Sequence, residues 1–371
     1  MSDTAYLILE NGTVFKGKFF GAYGEVTGEI VFTTGMTGYL ETLTDPSYQG
    51  QIVLQTFPLI GNYGIIPEDF ESAGVGAKAY IVKIPCAAPS NFRSEKDLDS
   101  FLKERGITGI CGIDTRALTK IIRKNGVMNG KISPRVPSYF DHEEIKNYKV
   151  ENPIAAVSAA NNVSAVLQRI SARSAPRTTG KPVRRIALLD FGAKRGIANA
   201  LLARGCEVLI FPHNAKAQEI LKINPNGIML SNGPGDPADP ANKVIVDTLC
   251  DLIKTGVPIF GICMGHQLLA LAYGYKSKKL KFGHRGANQP VKDTLTGNVY
   301  ITSQNHGYEI TADNSSQGKF SFVNVNDGSC EGIDYGVSFS VQFHPEARGG
   351  PLDTGFLFDK FMERIDAYAA K

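Results

Sequence analysis

From about residue 183 the chain alternates short, almost wholly apolar runs with amphipathic stretches. Residues 185–189, 207–210, 227–230 and 258–262 read as strands, and 196–204 and 244–254 as helices. Near-continuous apolar strands separated by helices predict a mostly parallel sheet covered on both faces. Before residue 150 the texture differs: alternating runs at 5–9 and 29–33, broken by glycines, and a helix over 94–105 predict a turn-rich α+β unit. Between the two, residues 151–182 pass from Ala-rich to Ser/Pro/Arg-rich and read as a connection. Past residue 273 the pattern becomes β-rich, with strands at 299–302, 320–323 and 337–343 and a closing helix over 354–368. The expected fold class is therefore α/β. An N-terminal α+β domain spans 1–150, a connecting segment 151–182, and a domain with an open, mostly parallel sheet 183–371.

Length and charge narrow the function classes. At 371 residues, two domains with separate cores are expected. Forty Lys and Arg against 36 Asp and Glu leave a formal charge of +4, a nearly balanced surface that does not point to nucleic acid. The densest basic run, 173–185, is interleaved with Ser, Thr, Pro and Gly; a solvated linker and contact with an acidic surface both fit it. Six cysteines without CxxC spacing indicate neither a zinc site nor a disulfide framework, and a reducing compartment fits them. The N-terminus lacks the basic start of a signal peptide, and no run approaches the roughly 20 apolar residues that span a bilayer. A cytoplasmic protein without membrane contact is expected.

The candidate chemistry centres on Cys263, which follows the apolar run 257–262 and precedes a helical pattern over 264–272. Gly261 and Gly265 flank it, as a sharp strand-to-helix turn requires where the backbone is crowded. The N–H groups opening the helix favour a thiolate, the nucleophilic form. Phe343-His344-Pro345-Glu346 follows a strand pattern and supplies a base, His344, and a carboxylate, Glu346, that can hold its tautomer. The bland alternatives are a small core hydrophobe for Cys263 and an ordinary loop for His-Pro-Glu. The flanking glycines argue against the first, and the strand-end position against the second.

With these three residues in place, further motifs carry a resemblance. Ser231-Asn-Gly-Pro-Gly-Asp-Pro237, Gly261-Ile-Cys-Met-Gly-His-Gln267 and Ser303-Gln-Asn-His-Gly-Tyr308 make the C-terminal half resemble a class I glutamine amidotransferase domain. In the N-terminal half, the motifs at 34–51, Pro58-Leu-Ile-Gly-Asn-Tyr-Gly64 and Gly112-Ile-Asp-Thr-Arg-Ala-Leu118 are similar to the small, glutamine-hydrolysing subunits of carbamoyl phosphate synthetases. The resemblance implies attack of Cys263 on the glutamine amide, proton transfer by His344, orientation by Glu346, and oxyanion donors at the N–H groups of Gly235 and Met264. It implies substrate binding by Gly233, Gln267, Asn305, Gly307 and Tyr308, with Ser47 from the N-terminal domain.

No cofactor or metal is expected on this chain. ATP and magnesium fall to a large synthetase subunit, the implied partner in a heterodimer or higher oligomer; no Gly-x-x-x-x-Gly-Lys-Ser/Thr loop is present here. Gln267 can also be read as a surface or capping group and Ser47 as a turn residue, while His266 and His306 read as structural. Where such subunits tend to have Leu, Phe and a Pro-Gly-Pro run, this chain has Met264, Tyr308 and Arg348-Gly-Gly-Pro351. The competing functions are an amidotransferase serving another synthetase, a stand-alone cysteine hydrolase of γ-glutamyl compounds, and a noncatalytic binding subunit.

Overall fold

The computed structural model describes residues 3–135, 139–158, 169–170, 183–312 and 316–370. The chain divides into two units, Met1–Glu151 and Asn152–Lys371. The first contains β1 (Thr4–Leu9), β2 (Val14–Gly21), β3 (Val26–Thr33), β4 (Gln51–Gln55), β5 (Leu59–Ile60), β6 (Ala79–Ile81), β7 (Ile84–Pro85), β8 (Thr108–Cys111) and β9 (Met128–Ser133). Seven of these close into a barrel in the order β1-β2-β8-β6-β4-β3-β9, while β5 and β7 pair separately. Closure joins β1 to β9, with Leu7 opposite Ile132. Val31, Leu40, Val53, Tyr80 and Phe101 belong to one buried cluster of this unit. The helix expected over 94–105 is observed at Leu98–Glu104. Its start is set by Asp97, whose side chain accepts the Ser100 N–H at 2.9 Å and caps the first turn.

The second unit contains β10 (Arg169–Ile170), β11 (Arg185–Asp190), β12 (Glu207–Pro212), β13 (Gly227–Leu230), β14 (Ile259–Ile262), β15 (Lys276–Asp293), β16 (Val299–Thr311), β17 (Lys319–Asn324), β18 (Cys330–Asp334) and β19 (Phe339–Val341). They form one sheet in the order β10-β12-β11-β13-β14-β19-β18-β17-β15-β16. The run from β12 to β19 is parallel, and the run from β19 through β18 and β17 to β15 and β16 is antiparallel. The expected α/β architecture is thus present, with an antiparallel extension that the apolar pattern traced only in part. β15 opens on the lysine-rich stretch 276–281, which has no apolar run to betray it.

The continuous apolar character of β11 follows from burial on both faces. Ile186 and Leu188 pack with Phe260, Phe358 and Phe361, whereas Ala187 and Leu189 pack with Leu230, Leu249 and Leu268. Successive residues point to opposite sides of a strand, so each face takes alternate positions. Each such large side chain, fully buried, contributes roughly 1.5–3 kcal/mol. The closing helix, Phe356–Ala369, supplies Phe358, Phe361 and Ile365 to the first face.

Of the segment 151–182, residues 153–157 form a short helix belonging to the second unit. Residues 159–168 and 171–182, and with them most of the basic run at 173–185, lie outside the described residues. Among the described residues, no helix is long and apolar enough to cross a membrane. The strands β11, β13 and β14 run side by side and end at Asp190, Leu230 and Ile262, so the loops leaving them gather at one edge of the sheet, where open α/β sheets hold their ligands.

Candidate active site

At that edge β14 ends and Cys263 becomes the N-cap of the helix Met264–Ala272. The left-handed residue of the turn is the cysteine itself, with φ 54° and ψ −103°. A non-glycine residue there carries a strain of about 1–3 kcal/mol and needs its surroundings to hold it. The Cys263 N–H donates to the Val341 carbonyl at 2.9 Å and the Gly265 N–H to the Ser231 carbonyl at 2.9 Å. The flanking glycines are needed for closeness: a Cβ on Gly265 would lie 2.4 Å from the Leu230 carbonyl oxygen, and one on Gly261 would lie 2.6 Å from the Gly265 carbonyl oxygen.

His344 follows β19, its N–H donating to the Ser303 carbonyl at 2.9 Å. Its Nδ1 meets Glu346 Oε1 at 2.7 Å, and Lys194 Nζ lies 3.8 Å from the same oxygen. His344 and Glu346 are almost entirely buried. Burial and the Lys194 charge pull the His344 imidazole down, but Glu346 and Cys263 outweigh them and it is pushed up to about 10. For Glu346, burial pulls upward, yet His344 and Lys194 prevail and hold its carboxyl below the usual range. The Nε2 atom has no hydrogen bond of ordinary length, although the thiol is near enough to contribute to the upward pull. The ring therefore has one nitrogen fixed by a carboxylate and the other free to face sulfur.

Cys263 is only 2% exposed, so the thiol is sheltered rather than displayed. Strand β16 covers it, with the Asn305 carbonyl 3.7 Å from Sγ. Further along β16, the Tyr308 carbonyl accepts from Gln267 Nε2 at 3.0 Å, and the same nitrogen donates to Gln342 Oε1 at 2.9 Å. Gln267 is buried, so it is not a surface group. Gly307 lies beside Arg285, whose Nη2 would be 3.3 Å from an added Cβ.

Opposite, the segment following β13 is bound to the one following β11: the Lys194 N–H donates to Asn232 Oδ1 and Asn232 Nδ2 to the Gly192 carbonyl, both at 3.0 Å. Gly233 approaches the Phe191 carbonyl so closely that a Cβ would lie 2.3 Å away, and Gly235 has φ 100°. Met264 is the first residue of its helix, where N–H groups lack intrahelical acceptors. Ser47 belongs to the first unit, in the turn Pro46–Tyr48, with its N–H donating to Asp45 Oδ1 at 2.9 Å.

Lys194 was not singled out from sequence; its signal is its place just after an apolar strand, in Asp190-Phe-Gly-Ala-Lys194. His266 is fully buried, its Nδ1 2.8 Å from Ser340 Oγ, and burial pushes it down to about 3, so it is a neutral ring. Among the described residues one cluster, His284, His306 and Glu331, brings potential metal-ligand atoms within 4.8 Å of one another, although its nitrogens and oxygens already face protein partners.

Comparison with known proteins matches two segments of the chain. Residues 7–132 match the carbamoyl-phosphate synthase small chain, CPSase domain, and residues 187–364 match glutamine amidotransferase class-I. A carbamoyl phosphate synthase small chain from Fusobacterium nucleatum is 50% identical over 97% of this chain and 98% of its own length. The chain belongs to the carbamoyl phosphate synthase small chain family. The small chain from Clostridium perfringens is 48% identical over 97% of this chain and 99% of its own. A pyrimidine-specific small chain from Halalkalibacterium halodurans is 46% identical, covering 97% of each. The two matched segments occur together in this one polypeptide.

Proposed function

We propose that this chain hydrolyses L-glutamine at Cys263 and delivers the ammonia to a large carbamoyl phosphate synthase subunit. The observation that carries the reading is the Cys263 turn facing a histidine whose other nitrogen is fixed by Glu346 at 2.7 Å. The sulfur, its proton held by His344, attacks the side-chain carbonyl carbon of glutamine and forms a tetrahedral oxyanion. The N–H groups of Gly235 and Met264 stabilise that oxyanion, an effect worth on the order of a hundredfold or more in rate per donor. The C–N bond breaks as His344 passes its proton to the leaving nitrogen, giving ammonia and a glutamyl thioester. Water, deprotonated by the same ring, then releases glutamate and restores the thiol.

Gly233, Gln267, Asn305, Gly307 and Tyr308 recognise the amino-acid end of glutamine, joined by Ser47 from the first unit. Bicarbonate, ATP and magnesium belong to the large subunit, in a cytoplasmic complex, and this chain needs no cofactor of its own. Match of residues 7–132 to the small-chain domain favours this partner over other synthetases. The test is incubation with a diazo-ketone analogue of glutamine followed by mass spectrometry. Label on the peptide containing Cys263 is expected; label confined to another residue would overturn the assignment.

A further inference from the structure

Glu331, on β18, is fully buried, and no step above uses it. Its Oε1 accepts from Asn324 Nδ2 at 3.1 Å and faces His284 Nδ1 at 3.4 Å. Its Oε2 lies 3.0 Å from the Gln304 amide. The other end of that amide lies 3.0 Å from His306 Nε2, and His306 Nδ1 lies 2.8 Å from the Tyr308 carbonyl. Gln267 converges on the same carbonyl. An unbroken chain of polar contacts therefore runs from Glu331 to the strand that covers Cys263.

Counting protons along this chain exposes a conflict. A carbonyl oxygen can only accept, so a neutral His306 carries its proton on Nδ1 and presents a lone pair at Nε2. If Glu331 were ionised, Gln304 would turn its NH2 toward the carboxylate and its oxygen toward that lone pair, leaving two acceptors 3.0 Å apart. One further proton resolves this, and it has two possible homes. On His306 it would add a cation beside His284 and Arg285, where burial and these charges hold the ring well below its usual range even with Glu331 Oε1 4.0 Å from Nε2. On Glu331 it neutralises a fully buried carboxylate. The acid O–H then donates to the Gln304 oxygen, and Thr302 Oγ1, 3.1 Å from that oxygen, turns its hydrogen to it from the Gln289 carbonyl. The Gln304 NH2 donates to Nε2, and Nδ1–H to the Tyr308 carbonyl; the two ends of an amide are told apart only by such partners.

We propose that Glu331 is a neutral carboxylic acid at physiological pH and, through Gln304 and His306, a positioning residue for the segment 305–308. Burial foremost raises its pKa, against the hydrogen bonds that favour its ionised form. Burial opposes a charge on His284 while Glu331 and then Asp327 favour it; with Glu331 neutral, Asp327 Oδ2, 2.9 Å from Nε2, is the counter-ion that remains. Other titratable neighbours are the Cys330 thiol next to Glu331 on β18, pushed up by burial and by Glu331, Arg285 on β15, and the neutral His266 across on the helix Met264–Ala272. As pH rises through the raised pKa, Glu331 loses its proton, the chain breaks, and the covering strand loses its alignment.

The kinetic consequence rests on the glutaminase reading; the protonation state does not. In the full chain, the infrared difference between wild type and Glu331→Gln at neutral pH should contain the C=O band of a protonated carboxyl, vanishing at alkaline pH. Absence of that band overturns the proposal whether or not glutamine is turned over. Glutamine at 331 mimics the neutral acid, so Glu331→Gln should keep the glutamine KM within about twofold and lose its alkaline rise. Glu331→Ala, which leaves the Gln304 amide without its partner, should raise KM roughly tenfold with kcat little changed. Equal damage in both variants, or the same alkaline rise in wild type and Glu331→Gln, would equally overturn it. If Glu331→Ala does not fold, the band and the Glu331→Gln profile decide. A wild type that shows the band but turns over no glutamine would instead sink the proposed function.

Discussion

Two histidine–glutamate pairs among the described residues of the second unit turn Nδ1 to the carboxyl group, at 2.7 Å in His344–Glu346 and 3.4 Å in His284–Glu331. In the first, the imidazole and after it Lys194 hold the carboxylate ionised, and the carboxylate in turn keeps the imidazole charged against burial and the lysine. In the second, Asp327 approaches the ring more closely, at 2.9 Å, and burial raises the acid. The same two residue types thus hold opposite charge states. A third group adds to the difference, a lysine on the carboxylate in one case and a competing carboxylate on the histidine in the other.

The sharpest break of this comparison removes the sulfur that the first pair serves. Cys263→Ser should lower glutamine-dependent synthesis at least about a thousandfold in the reconstituted complex while leaving synthesis from added ammonia intact. Loss of both would mean that the pair supports more than ammonia release. His344→Ala should approach that loss, whereas Glu346→Gln, which removes the orienting charge but keeps a hydrogen-bonding group, should reduce kcat/KM by about ten- to a hundredfold. Equal losses would show that orientation and proton transfer cannot be separated here.

A smaller effect tests the turn. Gly265→Ala drives a methyl into the Leu230 carbonyl and should destabilise by about 1–3 kcal/mol in urea titration, slowing the labelling of Cys263. An unchanged midpoint would mean that the backbone yields freely.

The smallest effect concerns pH. His344 has its pKa raised in the folded state from 6.5 to about 10, so its contribution is complete below 6.5 and is lost as pH rises toward 10. Urea midpoints should fall over that window in wild type and fall less in His344→Gln; parallel curves would contradict the assigned charge.

What was legible in the sequence was what the chain keeps local. Cys263 is bracketed by its glycines, and His344 and Glu346 are separated by one residue, so a motif displays each arrangement. The parallel strands were visible because burial on both faces makes them apolar throughout. Barrel closure was not, because alternation in 5–9 shows that β1 has a buried face and cannot name β9 as its neighbour. Lys194 was missed because a lysine after a strand looks like any solvated charge, and the carboxylate it meets comes from the far end of the unit. Glu331 was missed for the converse reason: a glutamate in Ser329-Cys-Glu-Gly332 reads as surface, and only the pairing of β18 with β17 and β19 encloses it.

The φ of 54° at Cys263 has a bearing on how the protein can be improved. Glycine occupies that region without penalty, so Cys263→Gly should melt at a higher temperature than the parent while being inert. Selection for heat resistance alone would therefore discard the nucleophile, and any programme to toughen this protein has to screen for turnover alongside survival.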